Sequence, residues 1–191
     1  KLLLAGMALS AVCGAFSSFI VYFANNKEGM QTIAYWMMGS LAGAQWGELA
    51  VIAPIIMASI LFFWTQSRVL NLMLLGDESA ITMGTDLHAY RQWYLLISSL
   101  IVGFAVYSAG MIGFVGLIVP HVIRMFTGPD HKRLLPVAAL VGAIFLVVAD
   151  GLCRVIIPHT ELPIGILISM IGAPSFIYLM IKKTYGFGGS D

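Results

Sequence analysis

Residues 110–136 read GMIGFVGLIVPHVIRMFTGPDHKRLLP and lie between two long apolar runs. Gly110, Gly113 and Gly116 have no side chain, so they predict close approach of neighbouring backbones. Pro120 has no backbone N–H and predicts a helix that bends or ends there. Cationic side chains gather just beyond the apolar part, at Arg124, His131, Lys132 and Arg133. This order is typical of a membrane bundle in which protein, rather than lipid, surrounds the irregular backbone and the cations face the cytoplasm.

The composition places the whole chain in a membrane. It has 191 residues, of which 60% are hydrophobic and 10% charged, and its mean hydropathy is +0.94. Soluble domains carry about 25% charged residues, so this chain lacks the side chains that would cover a water-facing surface. The net charge of +1 argues against a nucleic-acid surface. We therefore expect an all-α, polytopic membrane protein.

Six segments are candidate membrane helices, since a span needs about 20 apolar residues. They are residues 2–24, 49–66, 92–108, 112–126, 134–149 and 162–181. The fourth is short and is expected to be broken at Pro120, and Pro174 predicts a bend in the sixth. A further short helix is expected at about residues 30–38, where aromatic side chains favour the outer membrane interface.

Lysine and arginine predict the orientation. If Lys1 is cytoplasmic, six crossings place eight of the ten Lys and Arg residues on the cytoplasmic side and leave Lys27 and Arg154 outside. This is the positive-inside pattern, and an odd number of crossings would scatter it. Asp150 stands four residues before Arg154 at the outer end of the fifth span, which predicts an ion pair on one helix face.

Two further segments carry patterns that suggest contacts. The first span has small residues at helical spacing, which predict close helix packing, the wall of a polar path, or both; they are Gly6, Ser10, Gly14 and Ser17. The main inner loop contains residues 75–84, LGDESAITMG, which predict a helix of one or two turns. Asp77 can cap its start and Gly84 can end it. A helix this short needs something to pack against, either this protein's own inner face or a partner.

No catalytic or metal-binding motif can be found in the sequence. It lacks a phosphate-binding P-loop, and its histidines and two cysteines have no metal-ligand spacing. No carboxylate stands in the middle of a span, where a proton- or sodium-coupled carrier would need one. We therefore expect no enzyme activity and no cofactor, and a transporter that draws its energy from another protein.

Residues 113–121, GFVGLIVPH, followed by Arg124, Gly128, 130–132 (DHK) and 134–136 (LLP), resemble the shared motif of one permease family. The family comprises the transmembrane subunits of bacterial ABC importers for vitamin B12, ferric siderophores and haem (FecCD-type). The resemblance covers nearly the whole chain, including residues 36–40, 70–71, 75–76, 149–150, 161–165 and 171–174. Because that family has about ten transmembrane helices, the resemblance implies the C-terminal six, forming a single permease domain over residues 1–191.

The resemblance also implies partners and site residues. The partners would be an ATP-binding cassette subunit, a periplasmic or lipid-anchored substrate-binding protein, a second permease copy and membrane lipid, all at the bacterial inner membrane. A cytoplasmic coupling helix would pack into the ATPase subunit through Asp77, Glu78, Ala80, Ile81, Met83 and Gly84. Arg154 would dock the binding protein. The pathway at the dimer axis would be lined by Gly6, Ser10, Gly14 and Ser17.

Two other interpretations stay open. The first is an ion-coupled secondary transporter, whose activity would persist without ATP and collapse with the ion gradient. The second is a membrane interaction module with no transport of its own. The sequence does not select among an iron siderophore, haem and vitamin B12 as the substrate.

Overall fold

A computed structural model of the chain describes residues 2–23, 27–76, 80, 84, 87–156 and 162–185. All regular secondary structure within these residues is helical, as the composition predicts. The chain divides into two compact units, residues 1–37 and 38–191.

The first unit contains α1 (Leu2–Phe23) and α2 (Lys27–Met38) up to its last residue. Large apolar side chains of α1, such as Leu4, Met7, Phe16 and Phe19, are exposed. The hydroxyl of Ser17 donates to the carbonyl oxygen of Cys13 one turn earlier, at 3.0 Å, so it needs no water. The short helix predicted at residues 30–38 is confirmed as α2, which begins three residues earlier.

Six helices of the second unit have bounds within the described residues. They are α3 (Trp46–Thr65), α4 (Ser67–Leu74), α5 (Leu87–Ala109), α6 (Val115–Thr127), α7 (His131–Ile156) and α8 (Ile164–Tyr185). Helices α1, α3, α5 and α7 are long and apolar enough to cross a membrane. Helix α6 and the apolar part of α8, Ile164–Leu179, are shorter apolar segments. These six correspond to the six predicted spans, whereas α4 was not predicted.

Helix α7 is the centre of the second unit, because it packs against α3, α4, α6 and α8. Its first turns meet α6 in a buried cluster of Val119, Ile123 and Leu134. Its last turns meet α8 in a second cluster, formed by Ala149, Cys153, Ile164 and Ile168. A displacement of α7 would therefore change its contacts with most helices of the unit.

Contacts between helix ends divide the second unit into two ends. At one end, Trp64 Nε1 at the end of α3 donates to the Lys132 carbonyl oxygen at the start of α7, at 3.0 Å. Tyr94, near the start of α5, donates to Gln66 after α3. At the opposite end, the backbone N–H of Ser40 donates to the carbonyl oxygen of Ala109 at the end of α5.

This arrangement of contacts at opposite ends is what successive crossings require, and the orientation stays a prediction. We call the end that contains Trp64 the inner end, because the basic residues predicted to be cytoplasmic gather there. They are Arg68, Arg91, Arg124, Lys132 and Arg133. Arg154 lies at the opposite, outer end.

Helix α6 runs without interruption from Val115 to Thr127, so the break predicted at Pro120 is wrong. Pro120 lies in the second turn and forfeits one hydrogen bond, the one its N–H would have made to the carbonyl of Gly116. The loss of a single bond does not end a helix whose other turns are held by packing on α7. Helix α8 likewise continues through Pro174.

The close backbone approach predicted at Gly113 and Gly116 is also wrong. A Cβ added at either position would meet no atom within 4 Å among the described residues. Close approaches occur instead at the outer end. A Cβ on Gly165 would overlap the carbonyl oxygen of Met38, and a Cβ on Gly39 would lie 2.9 Å from the carbonyl oxygen of Met111. Glycine is needed where two backbones touch, rather than where glycines crowd the sequence.

Phe114 begins α6 in a rare backbone conformation, with φ 62° and ψ −31°. The N–H of Val115 donates to the carbonyl oxygen of Gly113 at 2.7 Å, which closes a three-residue γ-turn around Phe114. A γ-turn with positive φ is strained, and such strain costs about 1–3 kcal/mol. Packing offsets the cost, because the Phe114 side chain rests directly on Gly172 of α8.

A cavity of about 240 Å³ lies between α6, α7 and α8, and Gly172, which contacts Phe114, forms part of its wall. Its wall is almost wholly apolar and includes Ile118, Val122, Phe145 and Ile171, with Ser175 as the one hydroxyl. That hydroxyl donates to the carbonyl oxygen of Ile171 at 2.7 Å and is therefore satisfied within its own helix.

Candidate functional site

Helix α4 connects the last turn of α3 to residues 77–84, the segment predicted to contact an ATPase subunit. The turn at Gln66 separates the two helices, and the Leu70 N–H donates back to the Gln66 carbonyl oxygen at 3.0 Å. Only eight residues long, α4 is too short to be stable alone and depends on packing. It ends at Leu74; Leu75 caps it, and Gly76 follows with φ 92°, which turns the chain away from the helix axis. Residues 77–84 therefore leave directly from α4.

Asp130 forms the start of α7. Its carboxylate Oδ1 accepts the backbone N–H of Lys132 at 3.0 Å, and its carbonyl oxygen accepts the N–H groups of Arg133 and Leu134. An aspartate at this position satisfies a donor that the first turn of a helix leaves open. The same Oδ1 also accepts the side-chain amide Nδ2 of Asn71 at 2.8 Å. The cap of α7 is thus built partly from α4.

Asn71 binds the start of α7 with both ends of its amide. While Nδ2 donates to Asp130, the Asn71 Oδ1 accepts the backbone N–H of His131 at 2.9 Å. The same oxygen lies 2.8 Å from the ring Nδ1 of His131. Because an amide oxygen can only accept, that ring nitrogen carries a proton and donates. Asn71 therefore fixes both the position of the α7 backbone and the orientation of the His131 ring.

Together with the Trp64–Lys132 bond, these contacts join α3, α4 and α7. We call Trp64, Asn71, Asp130, His131 and Lys132 the inner-end junction. A cleft of about 640 Å³ opens beside it, lined by Leu72, Leu74, Leu75, Arg68 and Pro129 as well as Asn71 and Asp130. Apolar and charged groups therefore line the inner end next to Gly76, after which residues 77–84 follow.

Asn71 also holds the carboxyl of Asp130 in its charged form. The hydrogen bond from the Asn71 side chain, followed by that from the Lys132 backbone, lowers the pKa of Asp130 below its ordinary value. A pKa that is lower in the folded than in the unfolded chain stabilises the fold above the unfolded value, about 3.9. That stabilisation is lost as the pH falls through the unfolded pKa toward the folded one.

We therefore expect the stability difference between the native chain and Asp130→Asn to depend on pH. The native chain should be the more stable above about pH 5, and its advantage should shrink as the pH falls below about 4. Thermal unfolding in detergent, measured for both proteins over this range, tests the expectation. An advantage that is constant or grows toward low pH would contradict it.

The predicted coupling residues are only partly described. Asp77, Glu78, Ile81 and Met83 lie outside the described residues. Ala80 is helical and completely buried, and its N–H donates to the Gly76 carbonyl oxygen at 3.3 Å. Gly84 lies in a turn with φ 75°, a conformation that suits a helix end. The Ala80 methyl therefore packs on this chain itself, and the coupling role of the segment stays a prediction.

The predicted ion pair at the outer end is confirmed. Arg154 Nε donates to Asp150 Oδ2 at 2.8 Å across one turn of α7. The Arg154 side chain is 48% exposed, and exposed pairs of this spacing contribute only about 0.3–0.5 kcal/mol. The docking role of Arg154 stays a prediction.

The predicted pathway face lies on α1, within the first unit. Gly6, Ser10 and Gly14 are exposed there, and Ser17 is half-buried. Their role as a pathway wall stays a prediction. Among the described residues, no group of three or more His, Cys, Asp or Glu side chains could hold a metal ion.

Asn71 is the functional candidate that sequence reasoning did not single out. Its partners are 59 and 60 residues away, so no local pattern reveals them. The available signal was weak: an amide in the middle of the apolar residues VLNLML.

Comparison with known proteins gives consistent matches over most of the chain. The model of the FecCD transport family matches residues 1–182. The hemin transport system permease protein HmuU of Yersinia pestis is 42% identical over 183 residues, which is 96% of this chain and 54% of HmuU. The cobalamin import system permease protein BtuC of Halobacterium salinarum is 41% identical over 179 residues, which is 94% of this chain and 47% of that protein.

The fold has a solved counterpart. A structure described as an inward-facing conformation of a metal-chelate type ABC transporter superposes with a TM-score of 0.88 and 35% identity. The match covers 95% of this chain and 58% of that one. The chain thus spans about half the length of the curated relatives it matches.

Proposed function

Because the chain belongs to the FecCD transport family, we propose that it forms the membrane-embedded core of a permease subunit in a binding-protein-dependent ABC importer. The observation that carries the proposal is the match of fold and sequence together, with a TM-score of 0.88 at 35% identity over 95% of the chain. The composition and the gathering of basic side chains at the inner end support a multi-pass location in the bacterial inner (cytoplasmic) membrane.

The substrate class we propose is a metal chelate: an iron siderophore, haem or vitamin B12. Relatives with about 40% identity are named for hemin and cobalamin import, and the matching structure is described as a metal-chelate type transporter. The chain itself supplies no group of metal ligands among its described residues. The substrate would therefore pass as an intact chelate and would be selected before it reaches the membrane.

The mechanism we propose is alternating access driven by a partner ATPase. ATP binding would draw two ATP-binding cassette subunits together, and residues 77–84 of each permease copy would move with them. Two permease copies would rock about a pathway lined by Gly6, Ser10, Gly14 and Ser17 of α1. The substrate stays non-covalently bound throughout, so no residue needs a catalytic role and the subunit is not an enzyme.

Each end of the permease would meet a different partner. At the inner end, residues 77–84 would enter the ATPase subunit beside the cleft lined by Leu72, Leu74 and Leu75. At the outer end, Arg154 would exchange its partner Asp150 for an acidic residue of the periplasmic or lipid-anchored binding protein. The modest contribution of an exposed i,i+4 pair supports such an exchange.

The transport hypothesis is tested on the full-length permease with its ATPase and binding protein in proteoliposomes. Uptake of the chelate should require ATP inside the vesicle and should persist when ion gradients are dissipated. Uptake that continues without ATP and stops when an ion gradient is removed would instead support an ion-coupled carrier. No uptake under either condition would favour an interaction module.

The coupling role is tested with Ile81→Asp. A carboxylate placed in an apolar interface should lower co-purification of the ATPase subunit about tenfold or more, because its burial is costly. Ala80 is not suitable, since a charge on that buried methyl would disrupt the chain's own packing. Arg154→Glu is the matched control: it should retain the ATPase and lose capture of the binding protein. Undiminished ATPase binding by Ile81→Asp would count against the coupling role.

A further inference from the structure

We propose that Asn71 is a positioning residue that transmits movement of residues 77–84 to the central helix α7. The inference rests on the proposed function, in which those residues are moved by an ATPase. It goes beyond it by naming the contact through which the movement would reach the membrane-spanning helices.

The route runs through α4. Residues 77–84 follow α4 in the chain after only Leu75 and Gly76. Gly76 lies five residues after Asn71. Of the side-chain hydrogen bonds described between α4 and the start of α7, all are made by Asn71. The other half-buried side chains of α4, such as Leu72 and Met73, are apolar and can slide along a neighbour. Hydrogen bonds are directional and resist such sliding.

Both the nitrogen and the oxygen of the Asn71 side-chain amide form hydrogen bonds to the start of α7. Its Nδ2 donates to the Asp130 carboxylate, and its Oδ1 accepts from the backbone and ring of His131. This arrangement fixes both the distance and the rotation of the first turn of α7 relative to α4. Since α7 packs against α3, α6 and α8, a shift of its first turn is passed to most of the second unit.

A tether that only stabilises the inner end would behave differently from a transmitting contact. Loss of a stabilising tether would lower ATP hydrolysis and transport together, in proportion to the folded protein. Loss of a transmitting contact would leave the ATPase cycle running and lower the amount of chelate moved per ATP. The ratio of uptake to hydrolysis therefore separates the two roles.

The experiment uses the full-length permease with its ATPase and binding protein in proteoliposomes, with uptake and ATP hydrolysis measured on one preparation. Asn71→Leu removes all three hydrogen bonds while keeping a similar volume. We expect hydrolysis within about twofold of the native rate and a fall of about tenfold in uptake per ATP. Gln66→Leu is the matched control, because it removes the Tyr94 hydrogen bond at the same end without touching α7. The control should remain coupled.

A charge swap provides a rescue test. Asn71→Asp replaces the Nδ2 donor with an oxygen that faces the Asp130 carboxylate, so coupling should fall. Adding Asp130→Asn places an amide N–H donor at position 130 opposite the new carboxylate acceptor at position 71. Asparagine can also cap the start of α7. Uptake per ATP should then recover at least partly. If Asn71→Leu fails to fold, this pair of variants decides, and equal loss in the single and the double variant would overturn the proposal.

The remaining outcomes are distinguishable. If the native complex shows no ATP-driven uptake, the proposed function fails and this inference fails with it. If the native complex transports and Asn71→Leu keeps the native ratio, only the inference is overturned. Equal uncoupling by Gln66→Leu would also overturn it, since general loosening of the inner end would then explain the effect.

Discussion

Gly165→Ala should destabilise the chain by about 3 kcal/mol, at the upper end of what one added methyl group costs in a packed site. The new Cβ would overlap the carbonyl oxygen of Met38 and lie 3.3 Å from the carbonyl oxygen of Met111. Both neighbours are backbone atoms of other segments, so neither can turn away as a flexible side chain could. Relief requires moving the start of α8, whose Ile164 and Ile168 anchor the outer buried cluster.

Thermal unfolding in detergent, with the yield of monodisperse protein, measures this effect. Gly142→Ala is the control, because its Cβ would meet Val119 Cγ1 at 3.9 Å, an ordinary contact. Alanine is favoured over glycine in a helix by about 1 kcal/mol, so the control should be neutral or slightly more stable. If Gly165→Ala unfolded at the same temperature as Gly142→Ala, the close contact at the outer end would be refuted.

Gly172→Ala is expected to have the second largest effect, about 2–3 kcal/mol of destabilisation. Its Cβ would lie 2.7 Å from Phe114 Cβ and 3.2 Å from Ile118 Cδ1. Phe114 cannot retreat, since its γ-turn at φ 62° already fixes where the side chain leaves the backbone. The added methyl group would therefore separate α6 from α8 or force Phe114 out of its turn.

A double-mutant cycle tests this explanation. Phe114→Gly removes both the ring and the strain of positive φ, and should itself be destabilising through lost packing. Combined with it, Gly172→Ala should cost much less than it does alone, with a coupling energy above about 1 kcal/mol. Additive effects of the two substitutions would show that Phe114 and Gly172 do not depend on each other.

The places and order of the six apolar helices could be predicted from sequence, because long apolar runs are local signals. The i,i+4 pair of Asp150 and Arg154 was predictable for the same reason. Helix α4 was not, since eight residues next to the polar Gln66 resemble the end of a span followed by a loop. Packing on α7 and α3, which the local sequence does not show, supports the helix.

The two wrong predictions have a common cause. A break at Pro120 and close contacts at Gly113 and Gly116 were inferred from residue type alone. In the structure, tertiary packing keeps α6 continuous, and the contacts that require glycine lie at Gly39, Gly165 and Gly172, each of which meets residues far from it in sequence. Asn71 was missed on the same ground, because its partners are brought to it by the fold.

The two ends of the second unit are therefore held by different forces. Hydrogen bonds to an ionised carboxylate hold the inner end, and these tolerate contact with water and a polar partner. At the outer end, close backbone packing around glycines adds to a buried apolar cluster and a backbone hydrogen bond. Such a difference suits a protein whose inner end would be moved by an ATPase while its outer end stays closely packed.

The cavity between α6, α7 and α8 has a practical consequence. A space of about 240 Å³ with an almost wholly apolar wall gives a water molecule too few polar partners and should stay dry. Dry apolar cavities of this kind take up xenon. A crystal held under xenon gas should therefore carry one heavy atom at a known depth beside Ile118 and Phe145, which would fix the register of three helices at a resolution too low to read side chains.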